Sequence, residues 1–212
     1  MTSIFPLLLV LVLFACVAMT YAEGMWSNAI RLINVVTAAL LATNFFEPVT
    51  QLLEGWAPKV TYVADFVVLW LLFAVAMAVL RTFTDQVSRV KVRFPERVDQ
   101  VGGALFSLWV GWVLVCFLVM TLHTAPLARN FLFDGFQPEQ RMFMGLAPDR
   151  QWLGFMQRMS LGTFCRSATP EQWKKQEFVF DPHAEFMPKY TARRVIVQAN
   201  VAEHDSICPP ER

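Results

Sequence analysis

The sequence predicts an all-α membrane protein with four transmembrane helices and a small, mostly helical tail. Hydrophobic residues make up 56% of the 212 residues and aromatic residues 14%, which is more than an ordinary soluble domain carries. Four apolar stretches each approach the roughly 20 residues that an α-helix needs to cross a bilayer. From His123 onward charged residues, prolines and glycines become frequent, so we expect the chain to leave the membrane there.

The first two apolar stretches predict two consecutive spans. Residues 4–22 contain no charged residue, and we interpret them as a retained span rather than a signal peptide, because no basic residue precedes Arg31. Span two, residues 26–46, is less apolar and carries Asn34 and Thr37 besides Arg31. Polar groups are costly in hydrocarbon unless they face other helices or water. This helix is therefore predicted to lie inside a bundle.

Spans three and four follow after a loop. Residues 47–60 contain prolines and a glycine that predict this loop. Span three covers residues 62–80, and span four covers residues 101–122. Between them, apolar residues of segment 81–100 recur at helical spacing, which fits either an amphipathic helix on the membrane surface or a solvated continuation of span three. Pro95 is predicted to end such a helix.

The distribution of basic residues predicts the topology. Segment 81–100 holds five Lys or Arg residues, whereas residues 47–61 hold only Lys59. Short loops rich in Lys and Arg stay in the cytoplasm, so segment 81–100 is predicted to be cytoplasmic. Since spans alternate in direction, both termini and the tail are predicted to be extracytoplasmic.

The polar residues of span two allow two interpretations. Arg31 lies close to the predicted cytoplasmic surface, and its long side chain can reach that surface by snorkelling. Alternatively, Arg31, Asn34, Thr37 and Asp99 form an intramembrane polar site, as in a small pore or a transporter subunit.

Span four opens with the sequence "RVDQVGGALFSLWVGW". Asp99 lies at the predicted start of the helix, where a negative side chain interacts favourably with unpaired backbone N–H groups, so we interpret it as a helix cap. Gly103, Ser107 and Gly111 are four residues apart and share one helix face, with Gly102 beside it. Such a face lets another helix approach closely; pore lining is the alternative.

The predicted domain organisation has three parts: a four-span unit at residues 1–122, a tail at residues 123–198 with short helices, and a disordered terminus at residues 199–212. The stretch "APDRQWLGFMQRMSLGTF" predicts one tail helix, capped by Asp149. A second helix in "FDPHAEFMPKYTARRVIVQ" is predicted to break or kink at Pro188.

No pattern in the sequence predicts catalysis. The tail contains Ser160 and His183, but no GxSxG motif and no spacing that would join them. No Cys/His cluster has metal-ligand spacing. The 18 basic and 17 acidic residues nearly cancel, which argues against a nucleic-acid partner. We predict no enzyme, metal or cofactor. Cys165 and Cys208 could form a disulfide outside the cytoplasm or remain free thiols.

The stretch "EGMWSNAIRLINVVTAALLA" at span two and "RVDQVGGALFSLWVGWVLV" at span four, with four spans and both ends outside, resemble the colicin V production protein family. In that family a glycine begins the second span, and an Asp followed by spaced small residues begins the fourth. The matching residues are Gly24 for the second span, and Asp99, Gly102 or Gly103, and Gly111 for the fourth. The family often has Arg directly before these glycines, where this chain has Glu23 and Val110.

The resemblance implies a bacterial inner-membrane protein for the production or export of a secreted peptide toxin and for envelope maintenance. We therefore predict a non-enzymatic scaffold or accessory protein in the lipid bilayer. Its expected partners are further copies of the chain or other envelope proteins. Helix packing is assigned to five small residues: Gly24, Gly102, Gly103, Ser107 and Gly111.

The predicted topology can be tested with a thiol reagent that does not cross membranes. Applied from outside after treatment with a reductant that does not cross membranes, the reagent should label Cys208 and miss a cysteine introduced by Lys91→Cys, because the basic segment 81–100 stays inside. The reverse labelling pattern would overturn the topology and, with it, the environment in which a Cys165–Cys208 disulfide could persist.

Overall fold

The computed structural model describes residues 4–54, 61–88, 92, 94–127, 136, 143, 145–162, 164, 169, 171 and 179–204. Within these ranges all regular secondary structure is helical, which confirms the predicted fold class. The six main helices are α1 (Ile4–Thr20), α2 (Met25–Glu54), α3 (Thr61–Val87), α4 (Glu96–Thr124), α5 (Pro148–Ser160) and α6 (Phe186–His204). A 3₁₀ turn at Tyr21–Glu23 joins α1 to α2.

Four of these helices are long and apolar enough to cross a membrane, as the sequence predicts. They correspond to Ile4–Glu23, Met25–Leu53, Val63–Val87 and Glu96–Thr124. Helix α2 has 30 residues, so it is about 45 Å long and exceeds the hydrocarbon thickness of a bilayer.

Helix α2 continues through Pro48 to Glu54, so the loop predicted at residues 47–60 is wrong for its first half. Phe46 and Thr50, on either side of the proline, are both buried. The Thr50 hydroxyl also donates a hydrogen bond of 2.8 Å to the Phe46 carbonyl. Residues 55–60 lie outside the described residues.

Segment 81–100 begins as a continuation of span three, because α3 runs without a break to Val87. Phe83, which the amphipathic alternative would place on a separate surface helix, belongs to α3. The other end of the segment differs from the prediction for Pro95: this residue directly precedes α4 instead of ending a helix. Its fixed φ suits the position before a first helical turn.

Helices α2 and α4 form the centre of the bundle. Helix α4 packs against α1, α2 and α5, and α2 also packs against α3. In α2 and in α4, half of the residues in the apolar 18-residue stretch are buried. In α1 and in α3, only 17% of the corresponding residues are buried. The exposed faces of α1 and α3 carry apolar side chains such as Phe14 and Leu71. Lipid tails can cover these faces at no cost, so α1 and α3 form the bundle's lipid-facing sides.

Helix α5 lies against α2 and α4 through Trp152 and Met156, which are both buried. The Trp152 indole N–H donates to the Thr43 hydroxyl at 3.1 Å. Phe155 is 39% exposed and does not share this buried face. Asp149 does not cap α5: the cap position is Ala147, which makes no side-chain cap, and the Asp149 carboxylate is bonded to His123 instead.

Helix α6 starts later than the predicted second tail helix. The Asp181 carboxylate accepts hydrogen bonds from the backbone N–H groups of Glu185 and Phe186, at 2.6 and 3.2 Å. Pro188 therefore falls in the first turn, where no helical partner is needed for a backbone N–H, and the predicted break there is wrong. The helix reaches His204, beyond the predicted start of the disordered terminus; residues 205–212 lie outside the described residues.

We predict that Gly111→Leu lowers the free energy of unfolding of the protein in detergent by about 1–3 kcal/mol through overpacking. A Cβ atom at Gly111 would lie 2.8 Å from Leu13 Cδ1 and 3.3 Å from the Leu13 carbonyl of α1. Gly154→Leu on α5 is the matched control, since nothing lies within 4 Å of its added Cβ. Equal thermal stability of the two variants would contradict the α1–α4 packing.

Candidate functional site

The start of α2 and the start of α4 meet at a contact that we call the entrance seam. It consists of Gly24, Met25 and Asn28 on the α2 side and Asp99, Gly103 and Ser107 on the α4 side. Both helices begin here, so the two sequence stretches that open spans two and four lie side by side.

Gly24 is the single residue that connects the 3₁₀ turn at Tyr21–Glu23 to α2. Its φ of 86° lies in the left-handed region, which L side chains rarely adopt and glycine adopts freely. An added Cβ would also lie 2.8 Å from Asp99 Oδ2. Both the backbone conformation and the space beside Asp99 therefore require glycine at this position.

Asp99 caps the neighbouring helix. Its Oδ1 accepts a hydrogen bond of 2.9 Å from the backbone N–H of Met25, the first residue of α2. This N–H has no acceptor within its own helix. Asp99 also lies in the first turn of α4, so its negative charge is close to the positive dipole ends of two helices. The sequence identified the capping residue but not the helix that it caps.

Asn28 joins three helices at the seam and is completely buried. Its side-chain Nδ2 donates to the Thr20 carbonyl of α1 at 2.9 Å and to Ser107 Oγ of α4 at 2.9 Å. A longer contact of 3.3 Å reaches the Gly103 carbonyl. Sequence reasoning missed Asn28, although it stands one helical turn after Gly24 in "EGMWSNAI".

The small residues of α4 pack against two different helices of the same chain. A Cβ at Gly103 would lie 3.4 Å from the Gly24 carbonyl carbon, and one at Gly102 would overlap the Met25 side chain. Gly111 instead faces α1. All of these contacts lie within one chain, so the chain's own helices α1 and α2 occupy the face that Gly103, Ser107 and Gly111 form.

Of the predicted intramembrane polar residues, Arg31, Asn34 and Asp99 each bond to a different partner. Arg31 forms an ion pair of 2.5 Å with Glu23, and both side chains are partly exposed. Asn34 donates to the Thr84 hydroxyl of α3 at 2.9 Å, and Thr37 is partly buried. Asp99 belongs to the entrance seam. The ion pair at the helix end agrees with an Arg31 side chain directed toward the membrane surface.

The opposite end of the bundle holds the tail through buried polar pairs, which we call the tail anchor: Asp65, His123, Asp149, Tyr190 and Arg193. Asp65 of α3 is 4% exposed, pairs with Arg193 and accepts a hydrogen bond of 3.1 Å from the Tyr190 hydroxyl. His123 Nε2 lies 3.1 Å from Asp149 Oδ2, and both side chains are buried. Removing one partner of such a pair leaves the other partner buried without a hydrogen-bonding or charged neighbour, which is destabilising.

Burial also changes the acidity of two tail residues. Burial is the main cause, and the charge of Asp65 the second, of a pKa of Tyr190 well above its usual range. The Tyr190 hydroxyl therefore stays a neutral donor. The pKa of Tyr190 is therefore higher in the folded chain than in the unfolded chain. The contribution of its neutral hydroxyl to stability is complete below about pH 10, the ordinary tyrosine pKa, and declines above it. Burial lowers the pKa of Arg194, whose guanidinium lies 4.9 Å from the Phe136 ring.

The candidate chemical groups of the tail have structural contacts. Ser160 is buried, donates to the Gln157 carbonyl and accepts the Phe180 backbone N–H, whereas His183 is exposed. In the part of the chain that the structure describes, no group of three His, Cys, Asp or Glu side chains could hold a metal ion. Cys165 and Cys208 lie outside the described residues, so their pairing stays a prediction.

Comparison with known proteins gives one family. The family model described as Colicin V production protein matches residues 5–137, which include all four spans. No curated protein and no solved structure matches the chain.

We predict that Asn28→Ala lowers the free energy of unfolding by about 1–3 kcal/mol, because it leaves buried acceptors on two neighbouring helices without a donor. The control is Gln100→Ala, which removes an exposed amide at the same end of α4 and should change the value by less than about 0.5 kcal/mol. Thermal unfolding in detergent measures both. If the two variants melt together, Asn28 does not hold the seam.

Proposed function

The chain belongs to the colicin V production protein family, and from this premise we propose that it is an integral membrane scaffold for the production or export of a secreted peptide toxin and for envelope maintenance. Its partners in this role are other envelope proteins. The proposal excludes an enzymatic step and assigns the function to the assembled bundle and tail.

One observation carries the choice of a scaffold over a pore: polar side chains along span two are used inside the bundle. Asn28 bonds to α1 and α4, Asn34 bonds to α3, and Thr43 accepts the Trp152 indole of the tail. A pore would need polar groups that face water along its length. Here these side chains instead fix the neighbours of α2, which supports a packing role.

The tail provides the surface for partners outside the membrane. The tail anchor ties α5 and α6 to the ends of α3 and α4. Polar side chains such as Arg150 and Arg158 remain exposed on α5. A partner that binds there contacts an element packed directly on the membrane bundle.

A small pore or transporter subunit is the second candidate. It is favoured by a polar cavity between α2 and α3 that includes Arg31 and Asn34. At its inner end, however, the Asn34–Thr84 hydrogen bond joins the two helices.

The proposal is tested in a bacterial strain that exports a peptide toxin. Deleting this chain should lower the amount of toxin in the medium, and the full chain should restore it. Crosslinking in intact membranes should then join the full chain to components that produce or export the toxin. Unchanged export after deletion would refute the proposed role.

Reconstituted vesicles separate the two candidates. A scaffold should give no ion flux above that of empty vesicles. Flux that disappears in Asn34→Leu but persists in Thr82→Leu, an exposed position on α3, would establish the pore instead. Equal membrane levels and equal melting temperatures of the two variants are required for this comparison.

A further inference from the structure

A polar cavity of about 210 Å³ opens between α2 and α3 at the end of the bundle that carries the entrance seam. Two interhelical hydrogen bonds of 2.9 Å lie along it: Trp26 Nε1 to Ser88 Oγ, and Asn34 Nδ2 to Thr84 Oγ1. Asn34 follows Trp26 by eight residues, so the bonds are about 12 Å apart along α2. The cavity therefore extends about two helical turns from the helix ends into the membrane.

Charged side chains of both signs line this cavity. Among the lining residues that the structure describes, Arg31 and Arg81 are the cations, and Glu23 and Asp85 are the anions, so these four formal charges sum to zero. The Arg81–Asp85 pair is long, at 3.8 Å, and the two side chains are 74% and 72% exposed. An exposed pair of this kind contributes little to stability, so both groups can turn to a ligand without disturbing the fold.

The cavity also has the amphipathic character of a membrane surface. Trp26, whose ring has an apolar body and a polar N–H, belongs to a residue type enriched at this depth. Ile30 and Met77 add apolar lining beside the charged groups. The volume equals about seven liquid waters, which is room for one small headgroup while its acyl chains stay in the bilayer.

We propose that this cavity binds the headgroup of a zwitterionic phospholipid of the phosphatidylethanolamine type. One guanidinium group can donate two parallel hydrogen bonds to two phosphate oxygens. We therefore assign the phosphodiester to Arg31 and Arg81. The carboxylates of Glu23 and Asp85 bind the primary ammonium. An anionic headgroup would leave the two carboxylates beside its own negative charge, so the balance of charges selects a zwitterion.

Native mass spectrometry of the full chain with equal amounts of phosphatidylethanolamine and phosphatidylglycerol tests the proposal. The chain should retain phosphatidylethanolamine preferentially, and Arg81→Gln should weaken this retention by roughly tenfold, the effect of losing a charge-assisted contact. Arg97→Gln is the matched control, because Arg97 is exposed at the same end of the bundle and does not line the cavity. An equal effect of the two variants would overturn the site.

Asp85→Asn tests the charge balance separately. It gives the cavity one net positive charge, so the retained lipid should shift several-fold toward phosphatidylglycerol. An unchanged ratio, or a preference of the unaltered chain for phosphatidylglycerol, would overturn the selection of a zwitterion. If the chain retains inorganic phosphate in preference to phosphatidylethanolamine when both are offered at equal concentration, the site takes free phosphate and the proposal fails. Should Arg81→Gln not fold, the Asp85→Asn ratio decides alone.

Discussion

The rest of the bundle depends on one constraint: helices α2 and α4 begin side by side, so their N-termini lie next to each other. Parallel helices α2 and α4 place like ends of their dipoles next to each other, which is unfavourable unless a negative charge lies between them. Asp99 supplies that charge and bonds to the first N–H of α2. Its carboxylate needs the space beside Gly24, whose left-handed φ also turns the chain from α1 into α2. One glycine and one carboxylate thus fix the central helix pair.

The positions of the other elements follow from this central pair. The turn at Gly24 places α1 against α4, where Gly111 lets the two backbones approach. Helix α3 returns along the other side of α2. With α1 and α3 outside, the opposite ends of α2 and α4 remain open to the tail, where Trp152 and the His123–Asp149 pair fill the space. The tail therefore completes the core of the bundle.

Hydropathy in the sequence predicts the four spans because burial in lipid depends on composition over a whole helix. The partners of individual polar groups could not be predicted in this way. Asp99 and Met25 are 74 residues apart, and Asp65 and Arg193 are 128 residues apart, so only the folded chain shows which pairs meet. Asp99 could be singled out because a carboxylate at a helix start interacts with unpaired backbone N–H groups, and Gly24 because the family resemblance marks its position. Asn28 gave no comparable signal.

The distribution of polar groups also explains how a largely apolar chain selects one arrangement of helices. Lipid tails are as apolar as leucine, so apolar faces alone do not distinguish a helix neighbour from lipid. Close approach at glycine and hydrogen bonds between helices do distinguish them. Asn28 and Asn34 make α2 specific for α4 and α3 respectively, while the outer faces of α1 and α3 stay apolar. The polarity of span two therefore specifies which helices α2 packs against, as the proposed scaffold role requires.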